Sequence, residues 1–144
     1  MSELVLLALA ILVCSAMTAF FAGSETGAIS ANRPRLRNLQ KSGDERADDT
    51  LVLLSDSQKI LTITLVGTNI VSSLGVLFAK NFVESILESL NVHEAEGIAD
   101  IVSLLTMTPF LLIAGEIIPK RLFRKYPDQL MLAFRKPLKF FSII

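Results

Sequence analysis

The sequence predicts an all-α membrane protein with three transmembrane helices, a cytosolic pair of short helices and a C-terminal juxtamembrane amphipathic helix. Leu4 to Gly23 and Ile60 to Ala79 are twenty residues each without a charge, and Ile101 to Gly115 is a third uncharged run. About twenty apolar residues cross roughly 30 Å of hydrocarbon as a helix. Half the chain is apolar, and its fourteen Lys and Arg, matched by fourteen Asp and Glu, are gathered in two blocks. Zero net charge gives no global field for nucleic acid.

The first span falls at about residues 4–30. Ser15, Thr18, Ala22 and Glu25 recur at i, i+3, i+7 and i+10, a small polar stripe of the kind that packs helices in membranes. Gly23 to Gly27 would let the helix bend and present oxygens from Ser24, and Glu25 places a second carboxylate near a span. No basic residue precedes the apolar run, unlike a secretory signal. The single Cys14 cannot form an internal disulfide and reads as a packing residue.

The helix pair falls at about residues 33–56. Asn32 is placed to cap its first helix with Pro34 in the opening turn, and Gly43 to stop it. A second helix starts at Asp44 with Ala47, Leu51 and Leu54 on one face, and Asp56 or Ser57 caps the next span.

The second span, about residues 58–80, carries Thr62, Val66, Asn69 and Ser73 on one face. An amide in hydrocarbon is costly without a partner, so Asn69 either bonds a neighbouring helix or coordinates a ligand. Gly67 and Gly75 invite close helix contact and are expected at a dimer interface. The following segment to Asp100 is acidic, and its lone His93 reads as a surface residue.

The third span, about residues 99–119, is interrupted by Thr106, Thr108 and Pro109, and it ends on Gly115-Glu116-Ile117-Ile118-Pro119-Lys120. A carboxylate in an apolar span costs roughly 2.5–3.5 kcal/mol on insertion scales, so it faces a partner, an ion or a wet cavity. Pro119 lacks an N–H and frees a carbonyl near Gly115. Glu116 and that carbonyl are hard oxygen donors suited to Na⁺, Mg²⁺ or Ca²⁺. The competing reading is a helix end at which Glu116 pairs with Lys120.

Residues 120–144 are too charged to span; Leu130, Met131, Phe134, Leu138 and Phe141 alternate with Arg135, Lys136 and Lys139, and Pro137 interrupts. An interfacial helix with a kink fits, with a fourth span as the alternative. Six Lys and Arg lie between spans one and two and seven after span three, against Lys80 alone on the other side. That asymmetry predicts a multi-pass protein of the cell membrane with its N-terminus outside and its C-terminus cytosolic.

Three segments resemble the signatures of the CorC/cyclin M (CNNM) membrane-domain family. Phe20-Phe21-Ala22-Gly23-Ser24-Glu25-Thr26 is similar to its Phe-Ser-Gly-Ser-Glu-Thr signature, Gly67-Thr68-Asn69-Ile70-Val71 to its Gly-Asn-Asn-hydrophobic motif, and Gly115 to Lys120 to its Gly-Glu-hydrophobic-hydrophobic-Pro-Lys motif. The resemblance implies a single transmembrane domain over residues 1–144 that forms a homodimer in the lipid membrane. It also implies Mg²⁺ transport, viewed as Na⁺-coupled export, from a cation site between the spans. Thr18 would give a hydroxyl, Asn69 an amide oxygen, Gly115 a carbonyl and Glu116 the charge, with Ser24, Glu25 and Ser73 as further candidates. Ala22 stands where the family often has Ser, which removes an oxygen and favours a partly hydrated or Na⁺-tolerant site. Full-length members carry ATP-binding CBS domains, which this sequence does not contain. The competing class is a membrane anchor that dimerises cytosolic regulatory domains without transporting. No nucleophile–base pair, thiolate cluster or phosphate loop marks an enzyme.

Overall fold

The computed structural model describes residues 2–91 and 95–143, and every regular element among them is helical. His93 and its surface reading lie outside the described residues. Three helices are long and apolar enough to cross a membrane, namely Ser2–Ser30, Ser57–Ser89 and Gly97–Lys125.

The first is α1, and it runs unbroken through Gly23, Ser24 and Gly27. Its glycines serve close packing. A Cβ on Gly23 would stand 2.5 Å from the Phe123 ring, and one on Gly27 would stand 2.7 Å from both Phe123 and Met131.

The short helices form where their caps dictate. In α2 (Arg33–Lys41) the Asn32 side chain accepts the Arg35 N–H at 3.1 Å. Gly43 then turns the chain at φ +91°, a conformation that costs a glycine little. In α3 (Glu45–Ser55) the Asp44 carboxylate accepts the Arg46 N–H at 2.9 Å, and Asp56 accepts the Lys59 N–H at 3.1 Å to open the next span. The buried face of α3 is Ala47, Thr50, Leu53 and Leu54, with Leu51 only half-buried, so the stripe is rotated from the one expected.

The second span, α4 (Ser57–Ser89), continues about two turns past the expected end near residue 80, because Asn81 to Ser89 contains no breaker. It stops at Asn91, whose φ of 58° is left-handed. At its far end Lys80 pairs with Asp100 at 2.9 Å. Gly67 and Gly75 face inward against α1, where added Cβ atoms would lie 2.9 Å from Phe21 and 3.4 Å from Cys14. The antiparallel contact of α1 and α4 occupies the inward side of both glycines.

The third span is not broken at Pro109. It runs as α5 (Ala95–Val102), a π-helical turn (Ser103–Met107), α6 (Thr108–Leu112), a second π-helical turn (Ile113–Ile117) and α7 (Ile118–Lys125). Each π-turn precedes a proline by one residue: Thr108 N–H bonds Ser103 O ahead of Pro109, and Ile118 N–H bonds Ile113 O ahead of Pro119. A proline has no N–H to give, and the wider turn absorbs the mismatch without ending the helix.

The last helix, α8 (Pro127–Ile143), continues through Pro137 rather than breaking there. It lies against the short helices instead of forming a fourth span. Asp128 accepts the Asn32 N–H at 2.8 Å and pairs with Arg35 at 3.6 Å. Arg135 and Lys139 reach Asp49 on α3 at 3.6 and 2.8 Å. Leu36, Leu54, Phe123, Met131 and Leu138 form a core beneath this collar of α2, α3 and α8.

The hydrogen bond from Lys139, reinforced by its charge and by Arg135, holds the Asp49 carboxyl below the ordinary carboxylate range. A lowered folded-state value stabilises the latch above that range, about pH 4, and the stabilisation is lost as pH falls through the lowered value. Hydrogen exchange of α8, corrected for intrinsic rate, is expected to quicken on acidification in the wild type. The step should be absent in Asp49→Asn; an identical acid step in that variant would remove Asp49 from the latch.

Candidate functional site

Two glycines draw the three spans to one point. Gly115, in the second π-turn, lies against α1 so closely that a Cβ there would sit 3.2 Å from Thr18 Cγ2. Gly75 on α4 would place a Cβ 3.4 Å from Cys14 and 3.7 Å from Leu111. Between these contacts is a cavity of about 100 Å³, lined by Cys14 and Thr18 of α1, Ser72, Gly75 and Val76 of α4, and Thr108, Leu111, Leu112 and Glu116 of the third span.

Its walls are apolar and its oxygens few. Glu116 is half-buried and makes no ion pair among the described residues, so the pairing with Lys120 does not occur. The α-register donors of the Ala114 and Gly115 carbonyls are diverted or missing, since Ile118 bonds Ile113 O and Pro119 has no N–H. The local chain therefore presents one charge beside under-used carbonyl oxygens.

Many hydroxyls of the spans bond back to their own helix. Thr62, Thr64, Thr68 and Ser73 on α4, and Thr106 in the first π-turn, each donate to the carbonyl four residues back. That is the usual fate of a hydroxyl in an apolar helix. Thr18, Ser72 and Thr108 make no such bond, and all three line the cavity with Glu116. Ser15 Oγ and Ser24 Oγ are buried without a hydrogen-bond partner, and Ser24 is fully enclosed outside the cavity lining.

Thus Thr18, Gly115 and Glu116, named from the sequence, come together. Asn69 and Ser73 lie on the exposed side of α4, with Ser73 Oγ donating to Asn69 O at 2.8 Å, and Glu25 is half-buried on α1 away from the cavity. Sequence reasoning missed Ser72, one turn along α4 from Asn69, and Thr108 as cavity groups. Thr108 was hidden by helix periodicity. Eight α-helical residues put it roughly 80° from Glu116, and the surplus residue of the π-turn reduces that to roughly 20°.

Among the described residues no three His, Cys, Asp or Glu side chains converge. One carboxylate among hydroxyl and carbonyl oxygens suits a hard cation, not a thiolate- or imidazole-bound metal.

The family model for the cyclin M transmembrane N-terminal domain matches residues 9–144. The chain belongs to this family. With three span-length helices, this makes it a multi-pass membrane protein. It is 28% identical to the UPF0053 inner membrane protein YfjD of Escherichia coli over 113 residues, 78% of this chain and 24% of that protein. It is 29% identical to a UPF0053 protein of Haemophilus influenzae over 76% of this chain and 24% of that one. It is 30% identical to the UPF0053 protein YhdT of Bacillus subtilis over 92% of this chain and 30% of that one. The chain thus spans about a quarter to a third of the length of these curated relatives. Of the three segments that resemble family motifs, only Gly115 and Glu116 of the third lie at this junction; Thr18 lies two residues ahead of the first, and Gly67 of the second packs on Phe21 of the first elsewhere along α1 and α4.

Proposed function

We propose that the chain is the membrane domain of a transporter that moves Mg²⁺ across the cell membrane, with Na⁺ as the coupling ion and export as the direction. One observation carries the reading. Glu116, without an ion-pair partner, shares a cavity with hydroxyls from all three spans that have not bonded back to their own helices. A carboxylate in a span is costly unless something compensates it, and a hard cation does so. In an anchor, the polar groups would be distributed over separate helix contacts. Full-length function in this reading involves a homodimer and CBS domains beyond the present chain.

The test is Mg²⁺ flux from loaded liposomes against an imposed Na⁺ gradient. Export driven by the gradient is expected, and its loss in Glu116→Gln ties flux to the cavity. No Mg²⁺ movement under either gradient polarity, from an intact dimer, favours the anchor. That second reading has support in the exposed Asn69 amide, a group that needs a hydrogen-bonding partner in hydrocarbon.

The proposed orientation puts the collar and both basic blocks in the cytosol. Cysteines at the exposed positions Ser42 and Ser89, in a Cys14→Ala background, should label from inside and outside respectively. Labelling from the same side would overturn the topology.

A further inference from the structure

We infer that Arg121, Arg124 and Lys125 form a surface on α7 that binds the phosphate of an anionic phospholipid where the third span leaves the hydrocarbon. It does not depend on a cation in the cavity.

The basic residues of this chain have two different surroundings. In the collar, Arg35 meets Asp128, Arg46 meets Asp44, and Arg135 and Lys139 meet Asp49. On α7, Arg121, Arg124 and Lys125 are exposed, and none makes an ion pair among the described residues. No Asp or Glu occurs between Glu116 and Asp128, and Asp128 is buried and already engaged by Arg35 and the Asn32 N–H. The positive charge of α7 therefore has no counterpart nearby in sequence.

The three cations fall at i, i+3 and i+4, so a helix sets them on one side, Arg121 about 5–6 Å from each of the others between Cβ atoms. Pro119 and Phe123 are the buried residues of α7. Together with Leu122, the cations line an open depression of about 440 Å³. Lys125 lies over the Tyr126 ring, 5.1 Å from its centroid.

Depth along the span identifies the occupant. Ile117 and Ile118 are 45% and 49% exposed, one turn before Arg121 and Leu122. Exposed isoleucines on a span face acyl chains, and one helical turn is about 5.4 Å. The cations thus follow the hydrocarbon by a single turn, at the height of lipid phosphates, beside an exposed Tyr126 of the kind that collects at membrane interfaces. Lys and Arg at that height attract anionic headgroups, and a guanidinium can grip a phosphate with two parallel hydrogen bonds. A second copy of the chain fits poorly, since a two-fold contact at this face would set cations against cations.

The test uses the full chain in phosphatidylcholine bilayers containing phosphatidylglycerol, with one lipid or the other brominated. The sequence has no tryptophan, so Tyr126→Trp supplies a single local reporter and keeps an aromatic ring beside Lys125. Quenching by each brominated lipid gives the preference for phosphatidylglycerol at α7. That preference should fall about fivefold in each of Arg121→Gln, Arg124→Gln and Lys125→Gln, the worth of one cation near an anionic surface, and vanish in the triple variant. Arg37→Gln and Lys41→Gln, at exposed cations of the collar, should leave it unchanged. A reporter at the exposed Leu6 position of α1 (Leu6→Trp), near the other end of the spans, should show no preference. Equal preference at both reporters, or one that survives the triple change, would overturn the lipid surface. So would displacement of the lipid by inorganic phosphate, the mark of a free-anion site. Failure of both lipids to quench Tyr126→Trp would overturn it as well, by showing that protein covers this face.

Discussion

Mg²⁺ binding is expected to collapse in Glu116→Gln while the helices and their packing persist. Glutamine keeps the shape and hydrogen-bonding capacity of the side chain but removes the only carboxylate in the cavity lining. Removing one member of a buried charge pair costs about 3–5 kcal/mol, so affinity should fall by about a hundredfold or more. Folding should not suffer, because a neutral amide is easier to keep in an apolar span than a carboxylate, and no ion pair of Glu116 is lost. Calorimetry reads the affinity, and circular dichroism with size-exclusion elution reads the fold. Binding that survives the change at wild-type strength would exclude the cavity as the cation site.

The second large effect concerns packing. Gly23→Ala is expected to destabilise the domain by about 1–3 kcal/mol, the usual cost of overfilling a packed site. The new Cβ would lie 2.5 Å from two atoms of the Phe123 ring. That ring is 5% exposed, lies 5.7 Å from the Phe134 ring and faces Gly27 as well, so it has little room to retreat. Gly97→Ala is the matched control: nothing lies within 4 Å of its added Cβ, and alanine favours a helix. Thermal unfolding in detergent should show a lowered midpoint for the first variant and none for the second. Adding Phe123→Leu to Gly23→Ala should recover part of the loss. Equal midpoints for Gly23→Ala and wild type would show that the collar core is softer than its packing indicates.

Most of the architecture was legible because it rests on local chemistry. Charge-free length set the spans, and Asn32, Asp44 and Asp56 cap their helices as residues of those types do. The charges of Arg135 and Lys139, which argued against a fourth span, meet Asp49 in the collar. What local chemistry could not give was register through proline. Pro109 read as a break and Pro119 as freeing a carbonyl, whereas the helix accommodates both by widening a turn. Thr108 therefore fell outside the candidate set, and Asn69 and Ser73 entered it on α4 periodicity that could not tell which side the third span would cover. The glycines were ambiguous for the same reason. A small residue permits close approach but does not say whose, and Gly67 and Gly75 turned out to admit α1.

The latches of the collar are exposed at one partner or both: Arg35 and Lys139 are more than half exposed, while Asp128 is covered. Pairs of this kind weaken as ionic strength rises, since the screening length shrinks from about 30 Å at 0.01 M to about 10 Å at 0.1 M. The glycine junction around Thr18 and Gly115, held by apolar contact, has no such dependence. In the proposed reading, dissolved magnesium salt would act on this chain twice, once by occupying the cavity and once by screening α8 from α2 and α3. Titrated against a constant background of inert salt, the two responses separate, and whatever movement of α8 then remains belongs to the bound ion.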